Sequence, residues 1–100
     1  MAHITIHITR DHINRGQRNS CVSCPIALAI DEQLKPWPSA LVSSRNIHFG
    51  LHGQAYHIAT PSKCRKFISQ YDRTYDYSKR NEIQEFSFRI ALKGDHDENR

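Results

Sequence analysis

NSCVSCPIALAIDEQLKPWP, residues 19–38, sets a proline directly after a CxxC pair and closes on a second and a third proline. Pro25 suits only the first turn of a helix, where its missing amide has no partner to lose. A helix therefore begins near residue 24. Ile26, Ala29, Ile30 and Leu34 supply an inward stripe and Asp31, Glu32 and Gln33 a wet side, until the KPWP run stops the helix by denying it further amides. One bounded helix here separates an opening strand from everything that follows.

Upstream, Ile4, Ile6 and Ile8 alternate with His3, Thr5, His7 and Thr9, the period of a strand. Thr9 as a cap, Asp11 in a first turn and Gly16 as a stop predict a short helical turn between that strand and residue 19. Downstream, Ile47, Phe49 and Leu51 face one way and Asn46, His48 and Gly50 the other, with His52-Gly53 as a tight turn into QAYHIAT. Thr60 as a cap and Pro61 as the first helical residue then open a second long helix with a stripe of Cys64, Phe67, Ile68, Tyr71 and Tyr75. A polar bridge, DYSKRNE, leads to a last strand in which Phe86, Phe88, Ile90 and Leu92 alternate with Glu85, Ser87, Arg89 and Ala91. The order is βαββαβ, which predicts an α+β, ferredoxin-like fold: one four-stranded antiparallel sheet with both helices on one face.

One hundred residues make a single small domain, here residues 1–93, followed by a flexible charged tail over 94–100. An apolar share of 38% with nine aromatics suffices for one core. No window forms a membrane span and the alternating start is unlike a signal peptide, so the expectation is a soluble protein of the cytoplasm with no membrane partner. Three cysteines do not make a disulfide framework, and free thiols are expected. The net charge of +4 is compatible with an acidic partner but selects none.

If the Ile and Phe faces pack on the helices, the opposite faces form an open sheet surface carrying His3, His7, His48, His57 and Arg89, with Thr5, Asn46 and Ser87 among them. This is the expected partner-binding face, suited to another protein or to self-association as a homodimer. Imidazoles there could also ligate a metal, but strand alternation guarantees only a shared face and not convergence on one point. Cys21 and Cys24 have the CxxC spacing of a zinc knuckle without a second pair of ligands. A redox pair at a helix start and plain core packing are the other readings, and no cofactor is expected unless zinc joins the two thiols. Phosphate loops, nucleophile elbows and HExxH are missing, so a non-enzymatic role is expected. A nucleic-acid module is the alternative: Lys63, Lys66 and Arg73 lie opposite the second helix's apolar stripe, with Arg10, Arg15, Arg18, Lys79 and Arg80 adding charge that could track phosphates.

The stretches Asp11 to Gly16 and Cys24 to Ala29, with Tyr56, Phe67-Ile68 and Phe86 to Phe88, resemble a group of small bacteriophage and prophage proteins. These look alike in an isoleucine/threonine strand, an acidic turn ending in Gly, a Cys-Pro-Ile-Ala-Leu-Ala helix and a Phe-x-Phe strand. The resemblance covers most of residues 3–92 and carries no catalytic residues. It implies an accessory protein that binds a host enzyme or a defence system, an anti-CRISPR-like inhibitor being one form.

Overall fold

Strand β1 (Ala2–Ile8) places Ile6 and Ile8 in the core and leaves His3, Thr5 and His7 exposed, as its period of two requires. The computed structural model describes residues 2–92. The tail expected over 94–100, and residue 93 before it, lie outside the described residues. After β1 come α1 (Arg10–Arg15), α2 (Pro25–Leu34), β2 (Leu41–Val42), β3 (Asn46–Leu51), β4 (Gln54–Ala59), α3 (Ser62–Asp72), a 3-10 turn over Tyr77–Glu82, and β5 (Phe86–Leu92). The class is α+β with antiparallel sheets.

The expected single four-stranded sheet is not formed. β1 pairs with β5 from Ala2↔Leu92 to Ile8↔Phe86, and β2, β3 and β4 make a separate three-stranded sheet. One cause is visible at the β1 edge facing away from β5. The Gln33 side chain of α2 accepts from the His7 amide at 2.9 Å and donates to the His7 carbonyl at 2.8 Å, occupying both groups that a third strand would use there. A side-chain amide thus closes the ladder at that point.

Ile6, Ile8, Ile26, Ile30, Ile47, Phe49, Phe67, Tyr71, Phe88 and Ile90 share one core between the two sheets and the helices. Burial of each large apolar side chain is worth roughly 1.5–3 kcal/mol. Helix α1 starts with Thr9, whose amide donates to His12 Nδ1 at 2.9 Å. The other ring nitrogen, Nε2, therefore carries the proton and donates to Glu32 at 2.8 Å. Gly16 does end α1, but not through a left-handed conformation: its φ is −69°. It is glycine because a Cβ would lie 2.6 Å from the ring of Pro25. In the β3–β4 hairpin both turn residues, His52 at φ 53° and Gly53 at φ 77°, are left-handed, the pattern of a two-residue type I′ turn.

Three local expectations change. Thr60 is not the cap of α3: its hydroxyl donates to the Ser43 carbonyl at 2.8 Å and its amide to Arg45, pinning the loop before β3. Tyr75 leaves the apolar stripe, because α3 stops at Asp72 and the Thr74 amide and hydroxyl turn back onto Tyr71 and Gln70. The polar bridge is no surface loop throughout, since it buries Arg80 to 4% exposure. Arg80 Nη1 lies 3.3, 3.1 and 3.0 Å from the carbonyls of Ile13, Asn14 and Gly16, at the C-terminal end of α1, and its guanidinium stacks 4.8 Å from the Tyr71 ring. Those carbonyls carry the negative end of the α1 dipole, so a buried cation is accommodated.

Replacing Arg80 by Met should cost about 3 kcal/mol of unfolding free energy by denaturant titration, because buried carbonyls lose their donor. R80K should recover only part of that, since an ammonium cannot both fan out and stack. A second expectation concerns acid. Hydrogen bonds from His12 and then from Arg15 hold the Glu32 carboxyl below its ordinary range when folded. Its contribution is present above the unfolded carboxylate pKa and is lost as pH falls through the lower folded value. E32Q should therefore flatten the fall in stability on acidification through the carboxylate range, measured by unfolding at a series of pH values.

Candidate functional site

The five residues expected on one sheet face divide between two sheets. His3, His7 and Arg89 lie on the outer side of the β1–β5 pair, where His7 Nδ1 is 2.9 Å from Ser87 Oγ directly across the ladder and Arg89 stands opposite Thr5. His48 and His57 lie on β3 and β4 in direct register, their rings stacked with centroids 3.9 Å apart. They are flanked in the next strand by Leu41, which pairs with His48.

That second face has a feature the sequence reading passed over. A hollow of about 290 Å³ is lined by Pro38, Leu41, His48, Phe49, Tyr56 and His57, together with Ser39 and Ala55. No Asp, Glu, Lys or Arg lines it. Beside it, Trp37 is 85% exposed and Leu41 47% exposed. The backbone beneath Trp37 is held rigidly: its amide donates to the Gly50 carbonyl at 2.8 Å, and the Gly50 amide donates to Pro38 at 3.0 Å. Gly50 makes this possible, because a Cβ there would meet the Trp37 carbonyl oxygen at 2.2 Å. Gly50 is accordingly buried under residues 37–38 and does not belong to the open face. Two signals in the sequence could have disclosed the arrangement: the chain's single tryptophan set between two prolines, and a glycine inside a strand, which often marks close backbone approach.

The cysteines serve the fold. Cys24 Sγ caps α2 by accepting from the Ala27 amide at 3.4 Å, and the Cys21 carbonyl accepts from Val42, which attaches the loop to β2. Burial pushes the Cys24 thiol up, outweighing the lowering from the amides of Ala27 and Ile26 at the helix start. Burial also pushes Cys64 up, to about 12. Since metal ligation and thiol exchange both need a thiolate, these two are poorly disposed to either. Cys21 is exposed, at the rim of a cleft of about 220 Å³ that also holds Asn19, Ser43 and Asp72. Among the described residues no group of three or more His, Cys, Asp or Glu side chains is placed to hold a metal ion.

The basic candidates sort clearly. Arg10 donates to the carbonyls of Arg80 and Ile83, Arg15 pairs with Asp11 and Glu32, Arg18 donates to the Asp72 carbonyl and lies over the Tyr75 ring, and Arg80 is buried. These four are structural. Lys63 and Lys66 on α3 and Arg73 just beyond it are exposed along one side of the helix, with Lys63 Nζ donating to the Ser87 carbonyl at 3.0 Å and Arg73 Nε to Ser69. No described helix is long and apolar enough to cross a membrane.

With a thiol-specific reagent at neutral pH, native protein should show one fast cysteine, Cys21, while Cys24 and Cys64 react only on unfolding. A C21S variant with no fast thiol confirms the assignment, and two or three fast thiols in the native wild type contradict it. No protein-family model, no curated protein and no solved structure matches this chain.

Proposed function

We propose that this protein is a non-enzymatic binding module that docks a partner protein on the outer face of the β2–β3–β4 sheet. The observation that carries the reading is Trp37, a large aromatic 85% exposed yet held by a backbone bonded on both sides to Gly50. Tryptophan is the residue most often found at the energetic centre of protein interfaces, and a rigid display lowers the entropy lost on binding. The adjoining hollow is uncharged and mainly apolar, with the stacked His48 and His57 as its polar edge. Such a surface suits an apolar or aromatic segment of another protein, and it holds no Lys or Arg for a phosphate.

The resemblance of the Asp11 to Gly16 and Cys24 to Ala29 segments to small phage proteins supports a host or defence protein as the partner, met in the cytoplasm of the host cell. Inhibition of the anti-CRISPR kind is one form such binding would take. Of the residues first grouped as the binding face, His48 and His57 belong to this surface, and His3, His7 and Arg89 do not.

The test compares wild type with the W37S/L41S double variant in affinity capture from host lysate, beside a charge variant on the far helix, K63E/K66E. Serine at two exposed positions should change stability by about 0.5 kcal/mol or less per site, so the melting temperature stays close to that of wild type. The expected result is a stoichiometric partner, reconstituted from purified components, that W37S/L41S binds at least about a hundredfold more weakly, in line with loss of an aromatic anchor. Equal capture by wild type and W37S/L41S would overturn the proposal. So would a wild-type dimer, seen by light scattering, that W37S/L41S abolishes, since the face would then be a contact between copies.

A further inference from the structure

We propose that the side of α3 facing β5 and the 3-10 turn is a second, separate binding surface, a groove that takes single-stranded nucleic acid. Three adjoining hollows form it. The first is bounded by Lys63, Ser87 and Arg89, the second by Lys63, Lys66, Gln70 and Phe86, and the third by Gln70, Arg73, Tyr75 and Lys79. Lys63 is common to the first two and Gln70 to the last two, so the hollows run into one another along the helix. Lys63, Lys66 and Gln70 recur at i, i+3 and i+7 and so lie on one helical face over a rise of about 10 Å.

Charge selects the class of ligand. Lys63, Lys66, Arg73, Lys79 and Arg89 line the three hollows, against the carboxylates of Asp76 and Glu82. Asp76 is turned inward, its Oδ1 accepting from the amide and the hydroxyl of Ser78 at 2.9 and 2.7 Å. No hydrogen bond or ion pair to a described residue engages the side chains of Lys66, Lys79 or Arg89. Lys63 spends one donor on the Ser87 carbonyl and Arg73 one on Ser69, so each keeps further donors. Asp11 and Glu32 are paired with Arg15 and His12 away from the groove, and no ion pair among the described residues involves a cation of the groove.

The floor selects single strands over duplex. In the middle hollow the half-buried Phe86 ring packs on Phe67 at 4.9 Å and contributes to an apolar surface between the two lysines. Gln70 and Gln84 at its margin carry amide donors and acceptors suited to a base edge. In the third, Tyr75 is 74% exposed with the Arg18 guanidinium 4.2 Å from its ring, a second platform for a base. A duplex offers phosphates but keeps its base faces stacked, whereas an unpaired strand supplies both the phosphates for the cations and the faces for the rings.

The experiment is fluorescence anisotropy with a labelled single-stranded oligothymidylate and with a duplex of the same length, on the full chain. Wild type should bind the single strand more tightly than the duplex. With about three phosphate contacts the logarithm of affinity should fall with the logarithm of salt at a slope of about −2. K63E/K66E should weaken binding by about tenfold or more, and F86L, which keeps an apolar side chain on Phe67, by roughly fivefold or more through lost stacking. R45E reverses one charge outside the groove where K63E/K66E reverses two, and should weaken binding by much less than half as much on a logarithmic scale, while W37S/L41S should bind as wild type does. Failure of W37S/L41S in partner capture with oligonucleotide binding intact leaves the two surfaces distinct. The proposal is overturned by a loss in R45E of half or more of that in K63E/K66E on the same scale, by preference for duplex, by full binding in F86L with a native melting curve, or by equal competition from polyglutamate, which would make the groove a site for acidic protein segments.

Discussion

A buried guanidinium joins segments of this protein that lie 64 to 67 residues apart in the chain. Arg80 carries its charge to the C-terminal carbonyls of α1 while stacking on Tyr71 at the end of α3, and the Tyr71 hydroxyl donates to the same Ile13 carbonyl at 2.8 Å. Arg10 reciprocates by donating to the Arg80 and Ile83 carbonyls at 2.8 and 2.7 Å. Four segments, α1, α3, the 3-10 turn and the approach to β5, are thereby held in one arrangement. The desolvation of the cation is offset by dipoles and a π face, each of which acts strongly where water is excluded.

With that junction made, β5 is delivered alongside β1 and the two form a ladder of their own. Gln33 then occupies the outer edge of β1 at His7, and the hairpin of β3 and β4 takes the short strand β2 as its neighbour instead. The division into two sheets separates two surfaces. His48 and His57 line an uncharged hollow with Pro38, next to Trp37 in the chain, while the β5 side of α3 is a flank where helix cations and strand aromatics meet. An uncharged aromatic surface and a cationic groove ask for different ligands, which is the physical ground for assigning them separate roles.

The elements themselves were legible in the sequence. Alternation of Ile4, Ile6 and Ile8, the His52-Gly53 turn, Pro25 at a helix start and the Phe86-to-Leu92 pattern all report local backbone geometry, and the structure has an element at each. The site was less legible. Period two says that His3 and His48 each face away from the core but not that they share a sheet. Arg80 and Lys79 are adjacent cations in a polar run, yet one is buried and the other exposed, and nothing within that run distinguishes them. Trp37 reads as a helix terminator's neighbour until Gly50 is seen beneath it.

Proline geometry, glycine turns and hydrophobic period, all constraints between near neighbours, carry the α+β class, the order of the four longer strands and the helices between them, the start and stop of α2 and the inward faces of those four strands, but not the short β2 or the 3-10 turn. Long-range contacts alone settle that the strands form two sheets, that Arg80 is a clamp and that Trp37 stands exposed on a loop bonded to Gly50. Each of those depends on a contact between residues far apart in the chain, such as Gln33 with His7, Arg80 with Gly16, or Gly50 with Trp37. Spacing along the chain carries no record of which distant backbone will arrive to satisfy a hydrogen bond.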